Sequence, residues 1–297
     1  MRFALVGTGP WAERAHGPGL RACPTAELVG VWGRNPERAA ELAADLEVSA
    51  AEDLDDLIDR VDAVAFAVPP DVQAPLAIRA AAAGKHVLLD KPIALDPADA
   101  DRLEAAVTSA GTASLVFFTD RFVDTSRAWF EQVRATPGWQ GAWFRWLSSL
   151  QAPGNPYGGS AWRQELGALW DTAPHALSTL GAALGRVESL TAVAGEGDLV
   201  TLVLHHHSGA TSTAVLSQFA PPAAASFECA LWGEDGINRM PPRPEGDIAN
   251  VFAVAAGELV AAATNGRPTV ADVRLGAHIT RLLADAQRQL DAQRTGS

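Results

Sequence analysis

The residues best placed to do chemistry follow a short apolar run that begins at His86 and ends at Asp90. Gly84 and Pro92 bound this run, which is typical of a buried strand that stops abruptly. Lys91 therefore lies where open parallel sheets bind their ligands. An ammonium group there could stabilise charge on a reacting oxygen, although a solvated lysine after a strand gives the same pattern.

A second chemical pattern joins Asp171 and His175, which share a face if one continuous helix carries both. If Pro174 instead opens a new helix, Thr172 becomes a candidate cap and the geometry changes. Histidine titrates near neutral pH, and an adjacent carboxylate can orient its ring. The pair predicts an acid–base unit. The alternative is a histidine satisfied within its own helical turn.

A glycine-rich turn follows the first predicted strand, Arg2–Val6. Residues 7–12 match G-x-G-x-x-A, a variant of the dinucleotide-binding fingerprint. The first glycine permits a tight turn, and the second lets a pyrophosphate approach the backbone at a helix N-terminus. We predict that the cofactor is bound here by Gly7, Thr8, Gly9, Pro10 and Trp11.

The second predicted strand, residues 28–32, ends without the acidic residue that usually binds the ribose 2′-hydroxyl of NAD. Gly33 occupies that position, and the guanidinium of Arg34 suits a 2′-phosphate. We therefore favour NADP over NAD and expect Gly33, Arg34 and Asn35 at the cofactor. The alternative is that Arg34 is only a surface charge.

Strands and helices alternate over the first 120 residues, which predicts an α/β domain of the doubly wound Rossmann type with a parallel sheet. A third buried strand over 63–68 is closed by Pro69 and Pro70, and a further strand covers 113–118. Helices are predicted over 36–46, 72–83 and 97–109. The predicted dinucleotide-binding domain is 1–120.

The second half has longer strands separated by turns, which predicts an α+β domain, 121–297, with a mainly antiparallel sheet. Its predicted strands are 139–150, 187–195, 199–207, 210–219 and 225–232. Its predicted helices are 126–135, 167–184, 248–264 and 273–293.

The net charge of −12 argues against nucleic acid and anionic membranes as partners. The two cysteines form no zinc or disulfide pattern, and no apolar run approaches the roughly 20 residues of a membrane span. The chain begins directly with a strand, so we expect a soluble, cytoplasmic protein. The run His205–His206–His207 has too few suitable neighbours to predict a metal site.

Together these features resemble the Gfo/Idh/MocA oxidoreductases. The resemblance rests on the glycine turn, on residues 82–92, on Trp162-Arg163, and on the spacing of Gly167, Asp171 and His175. It implies that Lys91 contacts the nicotinamide ribose and the reacting oxygen. It also implies that His175 is the acid–base group with Asp171 beside it, and a homodimer or homotetramer through the second sheet.

The resemblance further places Pro69, Pro70 and Asp90 at the cofactor, and Trp162 and Arg163 at the nicotinamide or substrate. Three positions depart from the family's pattern. Gln73 stands near a frequent histidine, Asp90 replaces a glutamate, and Ala173 replaces a glycine.

The main hypothesis is an NAD(P)-dependent oxidoreductase that transfers a hydride between the cofactor and a secondary alcohol or carbonyl of a sugar, polyol or related small molecule. A non-catalytic NADP-binding regulatory or scaffold protein is the alternative. A methyltransferase also uses a glycine-rich first turn, but Lys91 and Pro92 argue against it.

Overall fold

The computed structural model describes residues 1–150, 152–155, 157–243 and 248–295. The chain divides into two units, Met1–Phe122 with Glu245–Thr280 and Val123–Pro244 with Arg281–Ser297. The predicted division had one boundary, at residue 120, whereas here the segment Glu245–Thr280 joins the first unit. The predicted roles of the two domains, dinucleotide binding and substrate binding with oligomerisation, stay predictions.

The first unit contains a six-stranded sheet in the order β3-β2-β1-β4-β5-β6, and all of its strand pairs are parallel. Its strands are β1 Arg2–Val6, β2 Glu27–Trp32, β3 Ser49–Ala50, β4 Ala63–Phe66, β5 His86–Leu89 and β6 Ser114–Val116. Strand β4 is buried throughout, because both faces of a doubly wound sheet are covered. This confirms the predicted Rossmann-type sheet.

Five α-helices follow these strands: α1 Gly17–Ala22, α2 Pro36–Asp45, α3 Leu54–Asp59, α4 Pro70–Ala82 and α5 Pro97–Ala110. A π-helical turn, Ala12–His16, leads into α1. Proline occupies a first-turn position of α2, α4 and α5, where its missing N–H costs nothing. Helix α4 therefore begins at Pro70 rather than at the predicted residue 72. The short elements β3 and α3 were not predicted.

The second unit contains a six-stranded sheet in the order β12-β11-β7-β10-β9-β8. Its strands are β7 Trp139–Leu147, β8 Val187–Ala194, β9 Val200–His206, β10 Thr211–Ser217, β11 Ser226–Gly233 and β12 Gly236–Arg239. Strands β7 and β10 pair in parallel and the other pairs are antiparallel, so the sheet is mixed but mainly antiparallel. Strand β12 was not predicted, and it forms a hairpin with β11.

The helices of the second unit between residues 123 and 244 are α6 Asp124–Ala135, α7 Ala161–Asp171 and α8 Ala173–Leu184. The predicted helical stretch 167–184 contains two helices, which is the second of the two alternatives left open by the sequence. Gly167 has φ 63°, which interrupts the helical backbone inside α7, and a separate helix starts after Thr172 with Pro174 in its first turn.

Two further helices are α9, Ile248–Asn265, and α10, Val273–Thr295. Helix α9 is long and apolar enough to cross a membrane by length and composition alone, so the expectation that no run approaches that length was wrong. This is weak evidence for a span, because core helices pass the same test. Phe252, Ala255 and Leu259 of α9 are fully buried, as in a core helix.

Candidate active site

Four groups of predicted site residues lie at one edge of the parallel sheet. Residues 7–11 follow β1, residues 33–35 follow β2, residues 69–70 follow β4, and residues 90–91 follow β5. Because these neighbouring strands are parallel, their carboxyl ends open on the same edge. The sheet thus gathers the glycine turn, the Arg34 segment, the two prolines and Lys91 along a single rim of the first unit.

The glycine turn is closely packed at Gly7 and has open space at Gly9. Gly7 has φ 126°, and a Cβ there would lie 2.3 Å from the carbonyl oxygen of Ala67. The amide of Gly7 donates to the oxygen of Trp32 at 2.8 Å. A Cβ at Gly9 would meet nothing within 4 Å, so a large anion has room to approach the backbone there. This cradle fits a dinucleotide pyrophosphate.

The turn after β2 packs closely against the glycine turn. A Cβ on Gly33 would lie 2.6 Å from Cγ2 of Thr8, so a larger residue at position 33 would require the Thr8 side chain to shift. Asn35 caps α2 by accepting from the amide of Arg38 at 2.9 Å. Arg34 is exposed and makes no hydrogen bond or ion pair with a residue in the described part of the chain.

Lys91 is 8% exposed and follows the end of β5 by two residues. Its amide donates to the Asp90 carboxylate at 2.8 Å, and its peptide bond to Pro92 is cis. The predicted position of Lys91 beyond a buried strand is confirmed. Its proposed contact with a cofactor stays a prediction.

Gln73, noted in the sequence only as a departure from the family's pattern, forms hydrogen bonds with the main chain at this edge. Its side chain is completely buried and bonds both the amide and the carbonyl of Asp90. Its Nε2 also lies 3.3 Å from the carbonyl oxygens of Pro92 and Ile93. One amide side chain thus holds the main chain around Lys91, a role that sequence spacing does not reveal.

His16, which was not singled out from the sequence, lies fully buried in the π-helical turn. Its ring packs 4.1 Å from that of Phe252, and its Nε2 is 4.0 Å from an Asp90 carboxylate oxygen. Neither ring nitrogen has a hydrogen-bond partner among the described residues. Burial lowers the pKa of His16 to about 3, so the imidazole is neutral at physiological pH.

In the second unit, Asp171 ends α7 and is held by two side chains. Its Oδ2 lies 3.2 Å from Nε of Arg163 and accepts from Nε2 of Gln218. Gln218 follows β10, so its approach to Asp171 depends on tertiary packing rather than on sequence spacing. Arg163 in turn stacks on the ring of Trp162 at 4.5 Å and on that of Tyr157 at 5.2 Å.

His175 lies in the first turn of α8 and is 6% exposed. Thr172 is the cap position of this helix, but its hydroxyl donates back to the carbonyl of Ala168 at 2.8 Å instead of capping. The second of the two predicted geometries, with a helix opened near Pro174, is therefore confirmed without the threonine cap. Asp171 and His175 thus belong to different helices.

An aromatic platform lies beside His175, formed by Trp146 and Phe227. The Trp146 ring is 5.4 Å from the His175 ring and 5.6 Å from the Phe227 ring. The guanidinium carbon of Arg243 lies 5.1 Å from the Trp146 ring centre. A flat, half-buried indole next to an imidazole can stack against the C–H face of a small polyhydroxy compound.

The histidine run on β9 has a structural explanation for its buried member. His206 is 4% exposed, and its ring nitrogens contact the Gly185 carbonyl and the Ser212 hydroxyl at 2.7 and 2.8 Å. His205 and His207 are exposed. No cluster of three or more metal-ligating side chains occurs within residues that the structure describes.

A family of known proteins matches the first part of the chain. Residues 1–118 match the family described as an oxidoreductase family with an NAD-binding Rossmann fold. Over these residues the chain is similar to the Gfo/Idh/MocA oxidoreductases. The resemblance seen in the sequence is therefore confirmed.

Two curated relatives are similar over part of the chain. The 4-carboxy-2-hydroxymuconate-6-semialdehyde dehydrogenase of Sphingobium is 30% identical over 204 residues, which are 66% of this chain and 62% of that protein. The UDP-N-acetylglucosamine 3-dehydrogenase of Acidithiobacillus ferrooxidans is 39% identical over 103 residues, 35% of this chain and 32% of that protein. The matched part thus spans less than two thirds of either relative.

Among solved structures, levoglucosan dehydrogenase in complex with NADH and levoglucosan superimposes with a TM-score of 0.86. The match covers 98% of this chain and 97% of the other at 19% sequence identity. At that identity the likeness establishes the fold, a Rossmann-type sheet followed by a mixed sheet.

Proposed function

We propose that this protein is an NAD(P)-dependent oxidoreductase of the Gfo/Idh/MocA type that acts on a secondary alcohol or carbonyl of a sugar, polyol or related small molecule. The observation that carries the proposal is the position of Lys91. This nearly buried ammonium side chain stands at the same sheet edge as a glycine turn that fits a pyrophosphate. A role in packing alone would not need a lysine at that edge.

The nicotinamide cofactor, when bound, supplies the hydride acceptor or donor. In the oxidative direction, the imidazole of His175 accepts the proton of the substrate hydroxyl. The ammonium of Lys91 stabilises the negative charge that develops on the same oxygen. Asp171, held by Arg163 and Gln218, is the carboxylate proposed to act with His175.

Gly7, Thr8, Gly9, Pro10 and Trp11 are the proposed pyrophosphate-binding residues, with Pro69, Pro70 and Asp90 along the same edge. Trp162 and Arg163 are proposed to lie at the nicotinamide or the substrate. The stacking of Arg163 on two aromatic rings and its ion pair with Asp171 support a fixed position for this guanidinium.

NADP is the proposed preferred cofactor, with NAD as the competitor. Support comes from the absence of an acidic side chain at residue 33 and from the exposed guanidinium of Arg34. The family description and the levoglucosan dehydrogenase complex name NAD and NADH. Titration with each cofactor decides between them.

A sugar-like substrate is proposed because UDP-N-acetylglucosamine 3-dehydrogenase and levoglucosan dehydrogenase are named for such compounds. The indole of Trp146 beside His175 offers a surface for a polyhydroxy ring. We expect Trp146→Ala to weaken substrate binding more than cofactor binding.

A homodimer or homotetramer through the second sheet is also proposed. Trp232 and Ile237 pair across β11 and β12 and are 43% and 58% exposed, and Val193 of β8 is 49% exposed. Light scattering of the wild type against Trp232→Glu tests this, since an interfacial carboxylate would lower the measured mass. A monomeric wild type would contradict it.

A cytoplasmic location, without membrane or nucleic-acid partners, remains part of the proposal on the basis of the charge of −12.

The decisive experiment has two stages. Quenching or enhancement of fluorescence on titration with NADPH and NADH gives the two dissociation constants. A panel of sugars, polyols and their ketones is then screened for cofactor reduction and oxidation. Turnover with at least one substrate class supports the enzyme. Tight NADPH binding with no turnover across the panel would favour the non-catalytic binding protein instead.

A further inference from the structure

Asp90 and Lys91 lie beyond the end of β5, so strand pairing does not hold their main chain. Strand β5 ends at Leu89, and its neighbour β4 ends at Phe66. Beyond these points the buried amide and carbonyl of Asp90 need other partners. The side chain of Gln73 provides both.

The contacts of Gln73 resemble those of a peptide group in an extra strand. Its Oε1 accepts the Asp90 amide at 2.8 Å, and its Nε2 donates to the Asp90 carbonyl at 2.9 Å. Because an amide side chain has one acceptor and one two-proton donor group, it can serve both main-chain groups at once. The Nε2 group also reaches the carbonyl oxygens of Pro92 and Ile93, each at 3.3 Å.

Gln73 is itself held in one place. It lies in the first turn of α4, where its own amide donates to the Pro69 carbonyl at 2.8 Å, and its side chain is fully buried. A buried, fully bonded amide has few rotamers available to it. The helix that starts at Pro70 therefore fixes the residues on both sides of Lys91.

We propose that Gln73 is a positioning residue for Lys91, which sets the ammonium for catalysis by holding residues 90–93. This rests on the proposed oxidoreductase function, in which Lys91 stabilises charge on the reacting oxygen. Small misplacements of a catalytic group cost about 10²-fold in rate. Loss of the amide would thus lower turnover although the Gln73 side chain is completely buried.

Two nearly isosteric variants test the proposal. Gln73→Met removes all polar contacts, and Gln73→Glu keeps an acceptor for the Asp90 amide but removes the donor for three carbonyls. We expect kcat to fall about 10- to 100-fold in Gln73→Met, with a KM change below about threefold. Leu57→Ala in α3, a fully buried apolar truncation distant in sequence from residues 90–93, serves as a control with lowered stability.

The readout specific to positioning is a double-mutant cycle with Lys91→Met. If Gln73 acts through Lys91, adding Gln73→Met to Lys91→Met lowers kcat by less than about twofold more. If the two losses multiply, or if Leu57→Ala lowers kcat as much as Gln73→Met does, the positioning role is refuted.

Amide hydrogen exchange gives a readout that does not need turnover. In Gln73→Met, the peptide containing residues 88–94 should exchange at least about tenfold faster than in Leu57→Ala, because the Asp90 amide loses its acceptor. Unchanged exchange would overturn the proposal while leaving the oxidoreductase function standing. A wild type that binds the cofactor but turns over no substrate would overturn the function instead.

Discussion

In the first unit, the ends of parallel strands place the proposed cofactor residues, whereas in the second unit side chains from remote strands contact the proposed acid–base residues. Gly7 and Lys91 stand where parallel strands end. Asp171 depends on Gln218 from beyond β10, and His175 faces Trp146 of β7. The first arrangement follows from a local sequence pattern, and the second requires the tertiary fold.

The largest expected effect on kcat comes from a substitution in the second unit. His175→Ala should lower kcat by about 10² to 10⁴-fold, because the hydroxyl proton then has no general base. Affinity for NADPH should change by less than about twofold. Steady-state kinetics with a verified substrate measure the first quantity, and fluorescence titration the second.

The matched control is His205→Ala, an exposed histidine on β9 in the same unit. It should leave turnover unchanged. Turnover of His175→Ala close to that of the wild type would remove His175 from the proposed site.

The glycine turn offers a second test, in which its two glycines, Gly7 and Gly9, should behave differently. Gly7→Ala should destabilise the fold, since its Cβ would lie 2.3 Å from a carbonyl oxygen at a φ of 126°. Gly9→Ala should keep the wild-type melting temperature, because its Cβ meets nothing within 4 Å.

Both variants should bind NADPH at least about tenfold more weakly, a loss of about 1.4 kcal/mol. Calorimetric melting and cofactor titration separate the two effects. Gly9→Ala with unchanged affinity would mean that the pyrophosphate lies elsewhere.

His16 provides a test of the first unit through the pH dependence of its stability, because its imidazole is buried in the neutral form. Its pKa is lowered to about 3 by burial, against about 6.5 when unfolded. Between these pH values the unfolded state binds one more proton than the folded state. The free energy of unfolding is therefore unaffected by His16 above pH 6.5 and falls as the pH is lowered below that value. The expected contribution is about 1.4 kcal/mol per pH unit below 6.5.

In His16→Phe, the number of protons taken up on unfolding between pH 6 and 4.5 should be lower by one than in the wild type. Urea unfolding of the variant and wild type at several pH values measures the difference, so other buried histidines cancel. Asp90, the nearest charged group at 4.0 Å, stays in both proteins. Equal slopes would show that His16 is not neutral in the folded state.

Arg34 is expected to give the smallest effect. Arg34→Ala should weaken NADPH binding about 3- to 10-fold and leave NADH binding unchanged, since only the 2′-phosphate pairs with the guanidinium. Arg38→Ala, one helical turn further on, is the comparison variant. A wild type that binds NADH more tightly than NADPH would contradict the proposed preference.

The sequence was sufficient for those parts of the fold in which local patterns dominate. The apolar run before Lys91 and the glycine turn after β1 each marked a strand end, and strand and helix alternation predicted the parallel sheet. By contrast, the sequence left open whether one helix carries both Asp171 and His175, and the structure separates them at Thr172, with Pro174 in the first turn of the second helix.

The contacts of Gln73 and Gln218 could not be predicted, since each joins residues at least 17 positions apart through packing. The same holds for the parallel pairing of β7 and β10 within the mainly antiparallel sheet. His16 was overlooked because a histidine after a glycine turn carries no signal of its complete burial.

The central claim is that Lys91 and His175 serve the same reaction. The most direct test measures kcat for Lys91→Met, His175→Ala and the double variant on one verified substrate. If the two residues act as a unit, each single variant loses at least about 10²-fold, and the double variant loses less than about tenfold more than the worse single. Wild-type turnover in either single variant would contradict the claim.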